Sequence, residues 1–211
     1  MESIRRLLTP LSYLRIERQG KYFDELLCPL IMLLVTFSVF WLVSWDVTVF
    51  GASGLISSVV GYLQVVSGFY IASLAAVATF NQENMDKPMA GKSPVLSVRR
   101  RGRMKDEKLT RRRFLCFLFG YLAFLSVLML FIGIGANLVA PAVSQEIDGD
   151  FGFYLKWLFA GCYIFVGYNL IFTTLLGLYY MTDRIHRKDA AFVSNKEAVP
   201  KAPETSSDDD F

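Results

Sequence analysis

Four long apolar runs constrain the fold of this chain more than any other feature of its sequence. They extend over about residues 26–45, 54–80, 114–139 and 153–181. Each run is long enough to cross roughly 30 Å of hydrocarbon at about 1.5 Å per helical residue. Of the 211 residues, 54% are hydrophobic and 19% are charged, whereas soluble domains carry about 25% charged residues. The sequence therefore predicts an all-α integral membrane protein, a four-helix bundle of two transmembrane hairpins.

The basic residues are distributed so unevenly that they predict an orientation. Of the 22 Lys and Arg residues, only Lys156 lies outside three segments, residues 1–25, 81–113 and 183–211. Lys and Arg near the ends of membrane spans favour the cytoplasmic side. We therefore expect both termini and the loop 81–113 in the cytoplasm of a multi-pass protein, with the bacterial inner (plasma) membrane as its location. The outer loops are then short, about residues 46–53 and 140–152.

The chain divides into three predicted regions: residues 1–25, the membrane bundle 26–182 and the tail 183–211. The first is expected to be an amphipathic segment at the membrane interface. In the alternative, it packs on the chain's own basic loop. No cleavable signal peptide is expected, because the first apolar run already has the length of a span. The tail is expected to be disordered from about residue 194. The amphipathic pattern consists of Ile4, Leu7, Leu8, Leu11 and Leu14 beside Arg5, Arg6, Arg15 and Arg18.

Residues that carry catalysis or bind metals are scarce in the sequence. The one histidine, His186, lies in the tail, and no Asp or Glu falls inside the four predicted spans. Hydrolysis needs a nucleophile with a base, and ion-coupled transporters usually carry an ionisable residue near the midplane. The three cysteines, Cys28, Cys116 and Cys162, lack the spacing of a metal site. We therefore predict a protein without catalytic activity, metal or cofactor.

The second apolar run contains a regular stripe of small residues. Gly54, Gly61, Gly68 and Ala75 recur every seven residues, which is close to two helical turns, so they share one helix face. Ser58 and Ala72 lie one turn from members of this set. Small side chains let helix backbones approach each other in lipid. The stripe predicts a close helix contact, either inside the bundle or between copies of the chain. The stripe consists of Gly54, Ser58, Gly61, Gly68, Ala72 and Ala75.

Three amides, Gln64, Asn137 and Asn169, lie within the predicted spans. An amide in hydrocarbon needs a hydrogen-bond partner. One interpretation is hydrogen bonding between helices of one chain. The other is a polar lining around an oligomer axis, to which hydroxyl groups of the second and fourth spans would contribute. Those hydroxyl groups belong to Ser57, Ser67, Thr173 and Thr174.

The loop 81–113 holds 11 Lys and Arg residues against four Asp and Glu residues. Clustered arginines bind phosphate groups well, which favours anionic lipid headgroups, with a cytoplasmic protein partner as an alternative and nucleic acid as the least favoured ligand. Val95, Leu96 and Val98 are compatible with one short strand, and Thr110 is a predicted helix N-cap. The basic side chains of interest are Arg99, Arg100, Arg101, Arg103, Arg111, Arg112 and Arg113.

Together these features predict a non-enzymatic membrane protein that forms a homo-oligomer and has the lipid bilayer as its surroundings. It would act as a sensor, anchor or effector through its basic cytoplasmic loop. The membrane component of a bacterial antiviral defence or exclusion system is one role of this kind. The alternative is a small pore-forming channel or an uncoupled transporter, because pores can be lined by hydroxyls, carbonyls or apolar constrictions.

Overall fold

The computed structural model describes residues 9–17, 20–43, 47–79, 95–100, 103–146 and 149–182. For residues 17, 95–100, 103–108 and 146 it describes the backbone alone. Two compact units are distinguished, Met1–Gly177 and Leu178–Phe211. The packing and the site described below belong to the first unit. The predicted disordered tail and the first eight residues of the amphipathic segment lie outside the described residues.

Within the described residues, four helices are long and apolar enough to cross a membrane, as predicted. The candidate spans are Phe23–Leu42, Leu55–Thr79, Arg111–Gln145 and Asp150–Thr182. The corresponding α-helices are α1 (Cys28–Leu42), α2 (Leu55–Thr79), α3 (Arg111–Glu146) and α4 (Asp150–Thr182). A five-residue π turn, Phe23–Leu27, precedes α1 and belongs to the same span. By the length and composition of these helices, the chain is a multi-pass membrane protein.

Helices α2 and α3 form the most closely packed pair in the described part of the chain. The side chains of α2 that are buried in this structure recur at intervals of three, four or seven residues, which places them on one helix face. On α3 the buried side chains concentrate in the first half of the helix. On α2 they are Ile56, Val60, Leu63, Tyr70 and Val77, and on α3 they include Leu115, Leu118, Phe119, Leu122 and Met129.

Helix α4 is joined to each of the other three helices by hydroxyl or amide groups in two consecutive turns. The Tyr168 hydroxyl donates to Thr36 of α1 over 2.6 Å, since Thr36 donates its own proton to the Met32 carbonyl. The Tyr121 hydroxyl of α3 donates to the Asn169 side-chain oxygen over 3.3 Å. The third contact joins α2: the hydroxyls of Tyr70 and Thr174 are 2.6 Å apart.

The part of the chain that the structure describes also contains three short strands, which lie outside the four spans. Strands β1 (Ile16–Glu17), β2 (Val95–Arg100) and β3 (Arg103–Lys108) form an antiparallel sheet in that order. Strand β2 contains the residues of the loop that were compatible with a strand, but its pairing with β1 and β3 was not predicted. Before β1, residues Thr9–Arg15 form a 3₁₀ helix that packs against α3.

Several helix boundaries differ from the predicted spans, and the end of α3 differs most. Helix α3 continues through Pro141 to Glu146, although we expected an outer loop from residue 140. A proline removes one backbone hydrogen bond, and a single lost bond near the end of a 36-residue helix does not stop it. At the other end of α3 the predicted cap is confirmed, because the Arg113 N–H donates to the Thr110 hydroxyl over 3.4 Å.

The first span begins earlier than predicted, and this corrects the statement that no carboxylate falls inside a span. Gly20, with a φ of +78°, ends the preceding segment, and its carbonyl accepts from the N–H groups of Phe23 and Asp24 over 3.0 and 3.1 Å. Asp24 and Glu25 therefore lie in the first turn, where carboxylates interact favourably with the helix dipole. The apolar run alone, which starts at Leu26, did not show this.

Candidate functional site

The site begins with a backbone carbonyl that the helix cannot satisfy in the usual way. In an α-helix the Glu25 carbonyl would accept from the N–H of residue 29, but residue 29 is Pro29 and has no N–H. The π turn at this point shifts the backbone bonds by one residue, as its Cys28 N–H to Phe23 carbonyl bond shows. The side-chain NH₂ of Asn169 donates to the Glu25 carbonyl over 2.6 Å. The proline thus explains why α4 supplies an amide here.

The Glu25 carboxylate faces the N-terminal segment. One oxygen accepts from the Tyr13 hydroxyl over 2.8 Å, and the other lies 4.0 Å from the Lys21 ammonium group. Both charged side chains are mostly covered, with 12% of Glu25 and 17% of Lys21 exposed. The Lys21 ammonium also donates to the carbonyls of Leu14 and Ile16 over 2.6 and 3.0 Å. Lys21 therefore satisfies carbonyls that the short 3₁₀ helix leaves open at its end.

Tyr13 links this ion pair to the interior of the bundle. Only 2% of Tyr13 is exposed, and its ring stacks on Tyr121 with a centroid separation of 5.0 Å. A tilted contact with Phe114 at 6.3 Å completes its surroundings on α3. Because Tyr121 donates to Asn169, and Asn169 donates to Glu25, the contacts form a closed ring. We call this group the N-terminal polar cluster; it consists of Tyr13, Lys21, Glu25, Tyr121 and Asn169.

The polar groups of the cluster bond to one another and so connect different segments of the same chain. It holds one carboxylate and one ammonium group, and each is already engaged by groups of the same chain. Within the described ranges, no three His, Cys, Asp or Glu side chains come together as a metal site would require. Of the cluster, the sequence analysis singled out Asn169 alone. The available signal for the others was Pro29, whose position inside the helix leaves one carbonyl to be satisfied from outside.

The structure also shows where the predicted small-residue stripe lies. Gly61 and Gly68 are exposed, and a Cβ atom added to either would meet no atom within 4 Å. The stripe thus faces away from the rest of the chain along most of its length. Gly54 is the exception: it is buried, and an added Cβ would lie 2.7 Å from backbone atoms of the preceding loop. The remaining members, Ser58, Ala72 and Ala75, are exposed as well.

The three predicted amides have different surroundings. Asn169 belongs to the N-terminal polar cluster. Asn137 lies at the opposite end of the bundle, where it accepts from the Gly51 N–H over 3.2 Å and donates to the Ser57 hydroxyl over 3.0 Å. Gln64 is exposed near the middle of α2, and its side-chain amide has no hydrogen-bond partner among the described residues.

The four hydroxyl residues predicted beside these amides do not form one lining. Ser57 donates to the Gly51 carbonyl over 2.6 Å, and Ser67 donates to the Gln64 carbonyl over 3.2 Å. Thr173 is buried, with 1% exposed, and Thr174 bonds to Tyr70. Ser57 and Ser67 therefore bond to backbone carbonyls just before α2 or within it. Thr173 and Thr174 lie on the inner side of α4.

The arginines of the basic loop divide into two groups. Arg99 and Arg100 lie on β2 and Arg103 on β3, with Arg100 and Arg103 directly paired across the hairpin; Arg101 lies outside the described residues. The second group starts α3, where Arg111 is 3% exposed. Arg112 is partly buried. Arg113 is exposed, and its guanidinium group lies 5.8 Å from the centre of the Phe117 ring. Arg111 is therefore covered by the protein rather than open to a headgroup.

A cavity of about 300 Å³ lies between α1, α2 and α4. Its walls are mainly aliphatic, and the hydroxyls of Thr36 and Tyr168 on its wall bond to each other. This lining offers few ligands to a hydrated ion. The cavity is lined by Thr36, Leu55, Ser58, Val59, Tyr62, Leu63, Ile164, Gly167, Tyr168 and Ile171.

Comparison with known proteins gives no match: no protein-family model, curated protein or solved structure corresponds to this chain.

Proposed function

We propose that this chain is a non-enzymatic, homo-oligomeric membrane protein that acts as an anchor or effector through its basic loop, with anionic lipid headgroups as the first ligand. In this proposal both termini and the loop 81–113 lie in the cytoplasm. The distribution of Lys and Arg supports that orientation, because all but one of these residues lie in the three segments that would then be cytoplasmic.

The pairing of Arg100 with Arg103 is the observation that carries the ligand assignment. Like charges directly opposite each other destabilise an antiparallel pair, and the connection between these two residues contains a further arginine, Arg101. With Arg99 next to the pair, four of five consecutive residues are cationic. An anionic surface relieves this repulsion, at about 1 kcal/mol for each basic residue close to the surface.

Amide hydrogen exchange in nanodiscs of different lipid charge tests the ligand assignment. The protein is reconstituted in nanodiscs of phosphatidylcholine with or without phosphatidylglycerol, and amide hydrogen exchange of residues 95–108 is measured. We expect slower exchange in the anionic discs, lost at high salt and lost when Arg99, Arg100, Arg101 and Arg103 are changed to Gln. The control removes four charges from the tail, with Arg184, Arg187, Lys188 and Lys196 changed to Gln. Equal exchange rates of residues 95–108 in the two kinds of disc, measured on the unaltered protein, would reject headgroups as the ligand and favour a protein partner.

The position of Gln64 supports self-association. An amide without a partner in hydrocarbon costs several kcal/mol, and an amide can both donate to and accept from the same amide in a second copy. Gly61 and Gly68, one turn away on either side, leave the space that a neighbouring helix backbone needs. The exposed face of α2 therefore combines a polar group that needs a partner with room for that partner.

The mass of the protein in nanodiscs tests self-association. We expect a defined oligomer that dissociates when Gly61 and Gly68 are both changed to Leu, and that is weakened by Gln64→Leu. Gly135→Leu is the matched control, because Gly135 is a helical glycine of α3 whose added Cβ also meets no atom within 4 Å. A monomeric unaltered protein would remove the oligomer from the proposal. Ion conductance that falls in Gln64→Leu while the mass is retained would instead favour a channel.

A further inference from the structure

We propose that an N-terminal strap, residues 9–17 and 20–25, couples helix α4 to the arginine hairpin, which consists of strands β2 and β3. This inference concerns contacts within one chain and does not depend on the proposed ligand or on self-association. The strap is held at two places: strand β1 in its middle pairs with β2, and residues on either side of β1 belong to the N-terminal polar cluster.

In its middle, the strap is part of the sheet that carries the arginines. Ile16 pairs with Leu96 and Glu17 with Val95, so β1 extends the inner edge of the hairpin. Ile16 is buried, with 2% exposed. A two-residue strand is too short to persist alone, which means that its pairing with β2 depends on how firmly the rest of the strap is held.

On either side of β1, the strap is held by the N-terminal polar cluster. The Tyr13 ring is enclosed by α3, and its hydroxyl donates to Glu25 over 2.8 Å. The Glu25 carbonyl then accepts from Asn169 of α4 over 2.6 Å. Lys21 draws the two halves of the strap together, because its ammonium group bonds the carbonyls of Leu14 and Ile16 while it lies beside Glu25.

The consequence is a continuous set of contacts from β2 through the strap to α4. A displacement of the hairpin, such as one caused by a bound anion, changes the position of Tyr13 and, through Glu25, the hydrogen bond between the Glu25 carbonyl and Asn169. Such coupling is reciprocal. A change made only at Asn169 must then alter the hairpin, although Asn169 does not belong to the sheet.

Asn169→Leu tests this coupling, and Asn137→Leu is its matched control. Each asparagine accepts one hydrogen bond and donates one, but Asn137 does so at the opposite end of the bundle. Amide hydrogen exchange is measured by mass spectrometry in nanodiscs, for peptides that cover the strap and residues 95–100. We expect exchange of these peptides to rise about tenfold in Asn169→Leu, as two lost hydrogen bonds imply, and to stay unchanged in Asn137→Leu.

A second variant keeps the test decisive if Asn169→Leu folds poorly. Tyr13→Phe retains the ring but removes the hydroxyl that reaches Glu25, and we expect about fivefold faster exchange in the same peptides. Tyr22→Phe is its control, because Tyr22 is 84% exposed. Faster exchange of the strap without any change at residues 95–100 would overturn the coupling. Equal effects of Asn169→Leu and Asn137→Leu would also overturn it, since they would indicate general destabilisation.

Discussion

Gly133 is the position at which a single added methyl group should most clearly disturb the packing of three helices. Gly133 of α3 is buried. A Cβ atom placed there would lie 2.5 Å from the Val60 side chain of α2 and 3.1 Å from the Tyr163 ring of α4, with the Tyr163 hydroxyl closer still. That hydroxyl donates to the Met129 carbonyl over 3.0 Å. Gly133→Ala therefore requires the Val60 and Tyr163 side chains to shift, and the shift of Tyr163 displaces a buried hydrogen bond.

The size of the effect follows from three contributions. Overpacking a filled site costs about 1–3 kcal/mol, and loss of a hydrogen bond from a buried hydroxyl costs about 1–3 kcal/mol. Replacing glycine by alanine in a helix returns about 1 kcal/mol. We expect Gly133→Ala to lower the free energy of unfolding by about 3 kcal/mol, roughly a 150-fold change in the unfolding equilibrium.

The measurement is unfolding by sodium dodecyl sulfate in mixed micelles, followed by circular dichroism. Gly135→Ala is the control, because an added Cβ at Gly135 of the same helix meets no atom within 4 Å, and it should be neutral or slightly stabilising. Combining Gly133→Ala with Tyr163→Phe removes the nearest atom, so the double variant should lose about 1 kcal/mol less than the sum of the two single changes. Equal stability of the Gly133→Ala and Gly135→Ala variants would refute the close approach of α2, α3 and α4 at this point.

Three further predictions can be checked by related measurements. Gly54→Ala should lower the free energy of unfolding by about 1–3 kcal/mol, because its Cβ would meet the loop backbone, whereas exposed Gly61→Ala should change it by less than about 0.5 kcal/mol; the same detergent titration compares them. Asn137→Leu should speed amide exchange of residues 47–53 about tenfold, because Gly51 of this loop and Ser57 at the start of α2 both lose their hydrogen bonds to this amide. Tyr70→Phe should lower the free energy of unfolding by about 1 kcal/mol, since the variant lacks the hydroxyl that bonds to Thr174; thermal unfolding measures this.

The four spans could be predicted because the thickness of a membrane fixes the length of an apolar helix. The cap at Thr110 could be predicted for a similar reason, since a side-chain oxygen is required where backbone N–H groups have no helical partner. These rules are local, and they hold whatever packs around the helix. The small-residue stripe was also visible, but its spacing shows only that Gly61 and Gly68 share a face. It does not show whether that face turns inward or outward.

The N-terminal polar cluster could not be predicted in the same way. A helix that starts at Leu26, where the apolar run begins, has Pro29 in its first turn, where the missing N–H has little effect. The helix instead begins near Gly20, and the carbonyl of Glu25 then needs a donor from elsewhere. Which donor fills that place depends on the packing of α4, and no local rule of sequence connects Glu25 with Asn169, 144 residues away.

The way in which the helices are joined suggests which of them can move. Helices α2 and α3 pack through a continuous apolar face, and Gly133 permits close approach there. Helix α4 adds the hydrogen bonds of Tyr168, Asn169 and Thr174 to its buried apolar side chains, and in membranes each such bond contributes about 0.6 kcal/mol on average. Three of them sum to roughly 2 kcal/mol, which is within the range of typical coupling energies between sites, about 1–3 kcal/mol. The strap bonds to Asn169, the middle one of these three residues, so α4 is the helix that we expect to respond to a displacement of the hairpin.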